Sequence, residues 1–275
     1  MALKSILITG CSSGIGLDAA VTLRDRGWRV FASCRRQSDC DRLIAQGFES
    51  PRIDYSDGST IQSGLREVLD ATGGTLDALF NNGAYAIPGA VEDLPTDALR
   101  AIFEANFFGW HELTKQVIPV MRAQGSGRIV QNSSILGFIP YSWRGAYVST
   151  KFALEGLSDV MRIEMRGTGI HISVIEPGPI TSRIRQNAIP HFERWIDAEN
   201  SPRARLYETL RKRLYESAGP DPFELPAAAV SKKLIHAIES PRPKPRYYVT
   251  TPTYAFGFLK RILPTRTLDW IISKG

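Results

Sequence analysis

The chain has 275 residues, 43% of them hydrophobic and 23% charged, the balance of a globular protein rather than a disordered, collagen-like or disulfide-stapled one. Thirty-four basic residues against 28 acidic ones leave +6; residues 242–275 hold seven basic side chains and one acid, so the rest of the chain sums to zero and the excess belongs to the tail. That distribution, with no recognition module, excludes a nucleic-acid binder. Three clustered cysteines, Cys11, Cys34 and Cys40, are too few for a disulfide framework. With no signal-peptide pattern and no run near the ~18 apolar residues of a membrane span, a cytoplasmic enzyme or binding protein is expected.

Short apolar runs recur at Ser5 to Thr9, Arg29 to Ser33, Ala78 to Asn81, Arg128 to Gln131, His171 to Ile175 and Tyr247 to Thr250. Amphipathic stretches lie between them, among them Gly14 to Arg26, Thr60 to Ala71, Thr96 to Phe108, His111 to Ala123 and Ala146 to Arg166. Strands alternating with helices predict βαβ units and a parallel sheet. The long departure from alternation, Pro179 to Pro226, is rich in aromatic and charged residues and reads as a substrate lid, with its insertion at about 183–225.

The first strand opens into Thr9-Gly10-Cys11-Ser12-Ser13-Gly14-Ile15-Gly16, followed at once by a helical pattern. Glycines at that junction let the backbone approach a pyrophosphate at the positive helix N-terminus. The Thr-Gly-x-x-x-Gly-x-Gly spacing resembles that of the short-chain dehydrogenase/reductase family, which implies a nicotinamide dinucleotide. After the second strand the chain reads Ser33-Cys34-Arg35-Arg36, with Cys34 where NAD-specific members place an acid. Arg35 there can clamp a 2′-phosphate through charge-assisted hydrogen bonds, so NADP is the expected cofactor, with Ser13 as a second phosphate contact.

The resemblance extends along the chain. Asp54, with Tyr55 beside it, follows the family's third strand and resembles its adenine-edge acid. Asn81-Asn82-Gly83-Ala84 stands at the family's Asn-Asn-Ala-Gly position with Gly and Ala exchanged, which leaves open the backbone group that meets the ribose. Tyr147 and Lys151, four residues apart on a helical pattern, share one face. An ammonium near a phenol favours phenolate and suits the pair to proton exchange. Ser134 precedes Tyr147 by thirteen residues, the family separation, and can bond the carbonyl oxygen that Tyr147 protonates. Asn106 matches the family's helix asparagine, which holds a water linked to the lysine. Pro177-Gly178-Pro179-Ile180-Thr181-Ser182 resembles the segment that meets the nicotinamide through Ile180 and Ser182.

Tyr147, Lys151, Ser134 and Asn106 are thus the expected catalytic residues. Gly10, Ser12, Ser13, Gly14, Ile15, Gly16, Arg35, Asp54, Tyr55, Asn82, Ile180 and Ser182 join Tyr147 and Lys151 in the cofactor site. The histidines His111, His171, His191 and His236 lack ligand spacing, so no metal is expected. The resemblance implies a single α/β domain over residues 1–275, a doubly wound Rossmann-type fold with a parallel sheet of about seven strands. It also implies a homodimer or homotetramer built on the long helices before and after the fifth strand of the family.

Tyr85, Phe138, Tyr141, Trp143, Ile189, Phe192 and Trp195 flank the motifs or fall in the insertion and offer an apolar surface; no basic pair is placed for a carboxylate. Cys-Ser-Ser in the glycine loop, Cys-Arg after the second strand and Glu-Pro-Gly-Pro-Ile look like the branch containing 17β-hydroxysteroid and retinol dehydrogenases and bacterial aldehyde reductases. The expectation is an NADP-dependent reductase of long-chain or retinoid aldehydes. The alternatives are a hydroxysteroid dehydrogenase and a non-catalytic dinucleotide sensor. Arg203 to Leu214 reads as a lid helix with Leu206, Tyr207, Leu210 and Leu214 on its apolar face. The basic, apolar tail, with Lys260, Arg261, Arg266 and Lys274 and a break at Pro264, either folds over a substrate site or lies in a lipid interface.

Overall fold

The computed structural model describes residues 3–216 and 221–273; parts of the lid and tail expectations, Lys274 included, fall outside them. Six strands form one parallel sheet: β1 (Ser5–Ile8), β2 (Arg29–Ala32), β3 (Ala78–Asn81), β4 (Gly127–Asn132), β5 (Ile170–Glu176) and β6 (Arg246–Tyr248). Their order is β2-β1-β3-β4-β5-β6, in register Ile6 to Val30 and Ala78, Leu79 to Ile129, Val130 to Ser173 and Ile175 to Tyr247. Eleven α-helices are described: α1 (Gly14–Asp25), α2 (Gln37–Ala45), α3 (Gly58–Thr72), α4 (Thr96–Phe103), α5 (Gly109–Gln124), α6 (Gly145–Glu164), α7 (Ile184–Trp195), α8 (Ala204–Tyr215), α9 (Ala228–Glu239), α10 (Thr251–Ile262) and α11 (Thr265–Ser273).

Side chains alternate across each strand, and both sheet faces are apolar because both are covered. Ile6 and Ile8 join Ala19, Leu23, Val230 and Leu234 of α1 and α9 on one face. Leu7 and Leu79 join Leu65, Leu113, Leu154 and Met161 of α3, α5 and α6 on the other. The chain winds in opposite directions from β1, so β1 and β3 diverge at the switch point, where open α/β sheets bind ligands at their strand C-termini.

The expected seventh strand is not a strand. Residues 49–53 lie along β2 but form only isolated bridges, Phe31 to Glu49 and Cys34 to Arg52. Pro51 between them has no N–H to donate, so the ladder is interrupted. The chain is nonetheless tied down, because Ala32 N–H donates to Glu49 O at 2.8 Å and the Ser50 hydroxyl to Ala32 O at 2.6 Å.

The insertion after β5 folds into α7 and α8. Tyr207, Leu210 and Leu214 are buried with Phe192, Ile196 and Tyr147 in a third apolar cluster; Leu206, expected on that face, is 52% exposed. The tail breaks at Pro264 between α10 and α11. Helix α10 packs on its own chain: Lys260 Nζ donates to Phe138 O at 2.6 Å, and Tyr254 meets Tyr248 edge-on. Among the described residues no helix is long and apolar enough to cross a membrane.

Candidate active site

The strand C-termini bring the glycine loop and the reaction-centre motifs together. Gly10 has φ +70°, and a Cβ there would lie 2.6 Å from Gly83 Cα. Only glycine lets these two loops close on each other. The exchanged Gly83 is not under the same constraint: a Cβ on it would meet Gly10 at 3.4 Å, ordinary contact. Ser13 is the N-cap of α1 but makes no capping hydrogen bond through its side chain, so helix amides and hydroxyl both remain for a phosphate. Across the groove, a Cβ on Gly14 would stand 3.4 Å from Ser182 Cβ. Ile180 pairs with Leu225 in a short bridge that ties the Pro-Gly segment to the end of the lid.

Beyond β2, an open cleft of about 790 Å³ is lined by Arg35, Arg36, Gln37, Ser38, Arg52 and Asp54. Three guanidiniums face one carboxylate there. Arg52, which the sequence reading overlooked, is placed by the bridge to Cys34, with its Nε 3.1 Å from Arg35 O. Asp54 accepts from Ser56 N–H at 3.0 Å. The Tyr55 phenol turns inward, bonded to Thr9 Oγ1 at 2.8 Å and Asn81 Oδ1 at 2.6 Å, which leaves only its backbone for the cleft. Ser12 O accepts from Arg42 at 2.9 Å.

Tyr147 and Lys151 share one face of α6 and are both buried. Burial pushes the phenol above its usual pKa, opposed by a hydrogen bond with Ser134 and by the nearby Arg144 charge. Ser134 also accepts from Leu136 N–H at 3.1 Å, which fixes the turn after β4. Lys151 Nζ donates to Asn132 O at 2.8 Å and sits 4.2 Å from the Trp110 ring centroid. Burial pulls its pKa down to about 7, with Glu155 opposing. An ammonium has three donors, and the one protein acceptor named here leaves the others for a bound group.

Polar side chains tie the lysine to the glycine loop. Asn132 Nδ2 donates to Asn82 Oδ1 at 2.8 Å, and Asn82 Nδ2 to Thr9 O at 2.9 Å. Thr9 Oγ1 accepts from the amides of Asn82 and Gly83, while Asn81 Nδ2 donates to Gln131 Oε1 at 3.0 Å and Thr114 Oγ1 at 2.9 Å. Trp110 Nε1 donates to Gly83 O at 2.8 Å, so the ring that faces Lys151 also pins the β3 loop. Asn132 and Trp110 escaped the sequence reading; alternation along β4 and the helical spacing of α5 mark them as buried, but only the fold brings them to Lys151.

Asn106 lies where α4 runs into α5 through a π-helical turn, Glu104–Phe108, a distortion common at functional sites. Its amide donates to Tyr85 O at 2.8 Å and accepts from Tyr85 N–H at 3.1 Å. The side chain therefore fixes the β3 loop. Tyr85 stacks on His191 of α7 at 3.9 Å, which ties α7 to that loop. Trp143, Ile189 and Trp195 pack against the same apolar cluster, whereas Phe138 stacks on Tyr248 away from it.

A profile of the family described as short chain dehydrogenase matches residues 4–192. The chain belongs to that family. This short-chain dehydrogenase is 39% identical over 270 residues to "Uncharacterized oxidoreductase YbbO" of Escherichia coli, covering 98% of this chain and 94% of the relative. It is 32% identical to human retinol dehydrogenase 8, covering 99% and 86%. A solved short-chain dehydrogenase from Streptomyces avermitilis superposes with a TM-score of 0.76 at 27% identity, covering 95% and 94%. Membership makes the chain an oxidoreductase that uses a dinucleotide cofactor on a carbonyl or alcohol.

Proposed function

We propose that this short-chain dehydrogenase uses NADPH to reduce lipophilic carbonyl compounds, long-chain or retinoid-type aldehydes first among them. The carrying observation is the meeting of Ser134 with Tyr147, and of Lys151 on the same helix, at the strand C-termini; a separate cleft beyond β2, where Arg35, Arg36 and Arg52 face Asp54, supports the cofactor choice. The small residues of the loop, the uncapped Ser13 and the spare donors of Lys151 suit a dinucleotide, and the arginine cleft suits its 2′-phosphate. Bound NADPH supplies the hydride. Tyr147 then donates its proton to the carbonyl oxygen, and its raised pKa keeps that proton in place until needed. Ser134 holds the oxygen, and Lys151 binds the ribose while its charge stabilises the phenolate left behind.

The apolar cluster of Phe192, Ile196, Tyr207 and Leu214 beside Tyr147 supports a lipophilic substrate. So does likeness to retinol dehydrogenase 8 and, at 29% identity, to human 17-beta-hydroxysteroid dehydrogenase type 1; a hydroxysteroid is the alternative substrate. NADPH consumption with long-chain aldehydes, retinal and steroid ketones, run against NADH, tests the reading. Tight NADPH binding with no turnover favours a sensor.

Subunit pairing through the outer face of α6 is part of the same proposal, supported by exposed Phe152, Val160 and Ile163; sedimentation of Val160→Glu checks it. Peripheral membrane contact is a separate reading, supported by Tyr254, Phe258 and Ile262, which repeat every fourth residue along α10 and are each more than half exposed. Liposome cosedimentation of Phe258→Ser checks that.

A further inference from the structure

Arg144 lies three residues before Tyr147, at the N-cap of α6. Its backbone is held in place from two sides. Gly89 N–H donates to Trp143 O at 3.0 Å, and the Trp143 ring meets Tyr207 edge-on at 4.9 Å. Trp143 takes a left-handed φ of 65° in this clamp, a conformation that a bulky residue keeps only where its surroundings impose it. The clamp fixes the backbone at Arg144 beside α8, to which Tyr207 belongs.

The lid supplies two more guanidiniums. Arg185 of α7 and Arg213 of α8 both bind Asp221, at 2.8 and 3.4 Å. Two other arginines of the insertion have carboxylates of their own: Arg203 pairs with Glu92, and Arg211 with Glu199 at 3.3 Å. Among the described residues Arg144 has no carboxylate within ion-pairing distance; Asp221, the acid that acts on it, is shared by the other two. Three cations thus share one anion, Asp221. Burial, then the charges of Arg213 and Arg185, pull the Arg144 pKa down to about 10. Arg144 is partly buried; a cation so placed without a counter-ion of its own carries a desolvation cost, and an anion from outside offsets it.

We propose that Arg144, supported by Arg185 and Arg213, is an anion subsite for the substrate, so that among lipophilic long-chain aldehydes those with a carboxylate at the far end, the oxo acids, are preferred to their neutral counterparts of equal length. The proposal rests on the carbonyl-reductase reading and names the substrate class of that site. The guanidinium fork matches a carboxylate bidentately. The apolar cluster around Phe192 and Tyr207 takes the chain between the two polar ends.

The test pairs succinic, adipic and azelaic semialdehydes with butanal, hexanal and nonanal, using NADPH and the whole chain. At one or more lengths the acid exceeds its neutral partner in kcat/KM by about tenfold or more, through KM, the scale of a charge-assisted contact. In Arg144→Gln that ratio falls to about one, and in Arg213→Gln, on the partly exposed lid helix, it falls severalfold. A neutral aldehyde equal to or better than its acid at every length overturns the subsite, as does a ratio unmoved by both variants. If neither series is reduced, the reductase reading fails by itself, and the subsite is decided by azelate binding to the NADP-loaded protein through tryptophan fluorescence. Saturable binding that is weakened in Arg144→Gln or Arg213→Gln supports it; absence of saturable binding overturns it.

Discussion

Lys151 is held between the Asn132 carbonyl, 2.8 Å from its Nζ, and the Trp110 ring, whose centroid is 4.2 Å away. The contact joins catalysis to architecture, because Asn132 leads through Asn82 to the glycine loop and Trp110 to Gly83. A displacement of β3 or β4 therefore moves the lysine. The cation is almost without solvent, and the Trp110 ring face supplies part of the field that water would otherwise provide.

The first prediction concerns pH. Burial lowers the Lys151 pKa to about 7, against ~10.4 in an unfolded chain. Between those values the unfolded state binds the extra proton, so the lysine's contribution to stability rises with pH. Lys151→Met removes the penalty, and its advantage over the parent apoprotein shrinks by about 3 kcal/mol between about pH 7 and about pH 9.5. Urea unfolding at the two pH values measures this; a constant difference contradicts the burial argument.

Two glycines separate loop contact from backbone strain. Gly10→Ala has both a left-handed φ and a Cβ 2.6 Å from Gly83 Cα, whereas Gly27→Ala has φ +84° and nothing within 4 Å. The second should cost about 1 kcal/mol and the first over 2 kcal/mol, with dinucleotide binding lost as well. Thermal melting and NADPH titration read both effects.

Arg35→Ala and Arg52→Ala should each weaken NADPH binding by roughly tenfold and NADH binding by less than about threefold, since only the former carries the 2′-phosphate. Fluorescence titration with both dinucleotides checks the difference. Equal losses would move these arginines from phosphate recognition to general structure.

The glycine loop, Tyr147 with Lys151, and the six strands were legible because each is carried by local spacing. Pro51 shows the limit: the family resemblance put a strand before Asp54, but one missing N–H reduces it to two bridges. Arg52, Trp110 and Asn132 were not legible because only the fold brings them to the site, and the trio of Arg144, Arg185 and Arg213 was not because arginines separated by 28 to 69 residues come near one another only when the insertion folds back. No local pattern marks such a meeting. Asn106 was expected to hold a water linked to the lysine; its side-chain bonds to the Tyr85 backbone, at a π-helical turn, were not legible.

The most direct test of the central claim is NADPH consumption by Tyr147→Phe beside the parent protein, on whichever long-chain, retinoid or carboxylated aldehyde the parent reduces fastest. In the proposed mechanism the phenol hydroxyl is the proton donor, and the ring is packed in the apolar cluster with Ala146 and Phe192. The substitution should therefore leave folding and NADPH affinity within about threefold while lowering turnover by roughly 10² or more. Near-parental turnover in Tyr147→Phe would contradict the account.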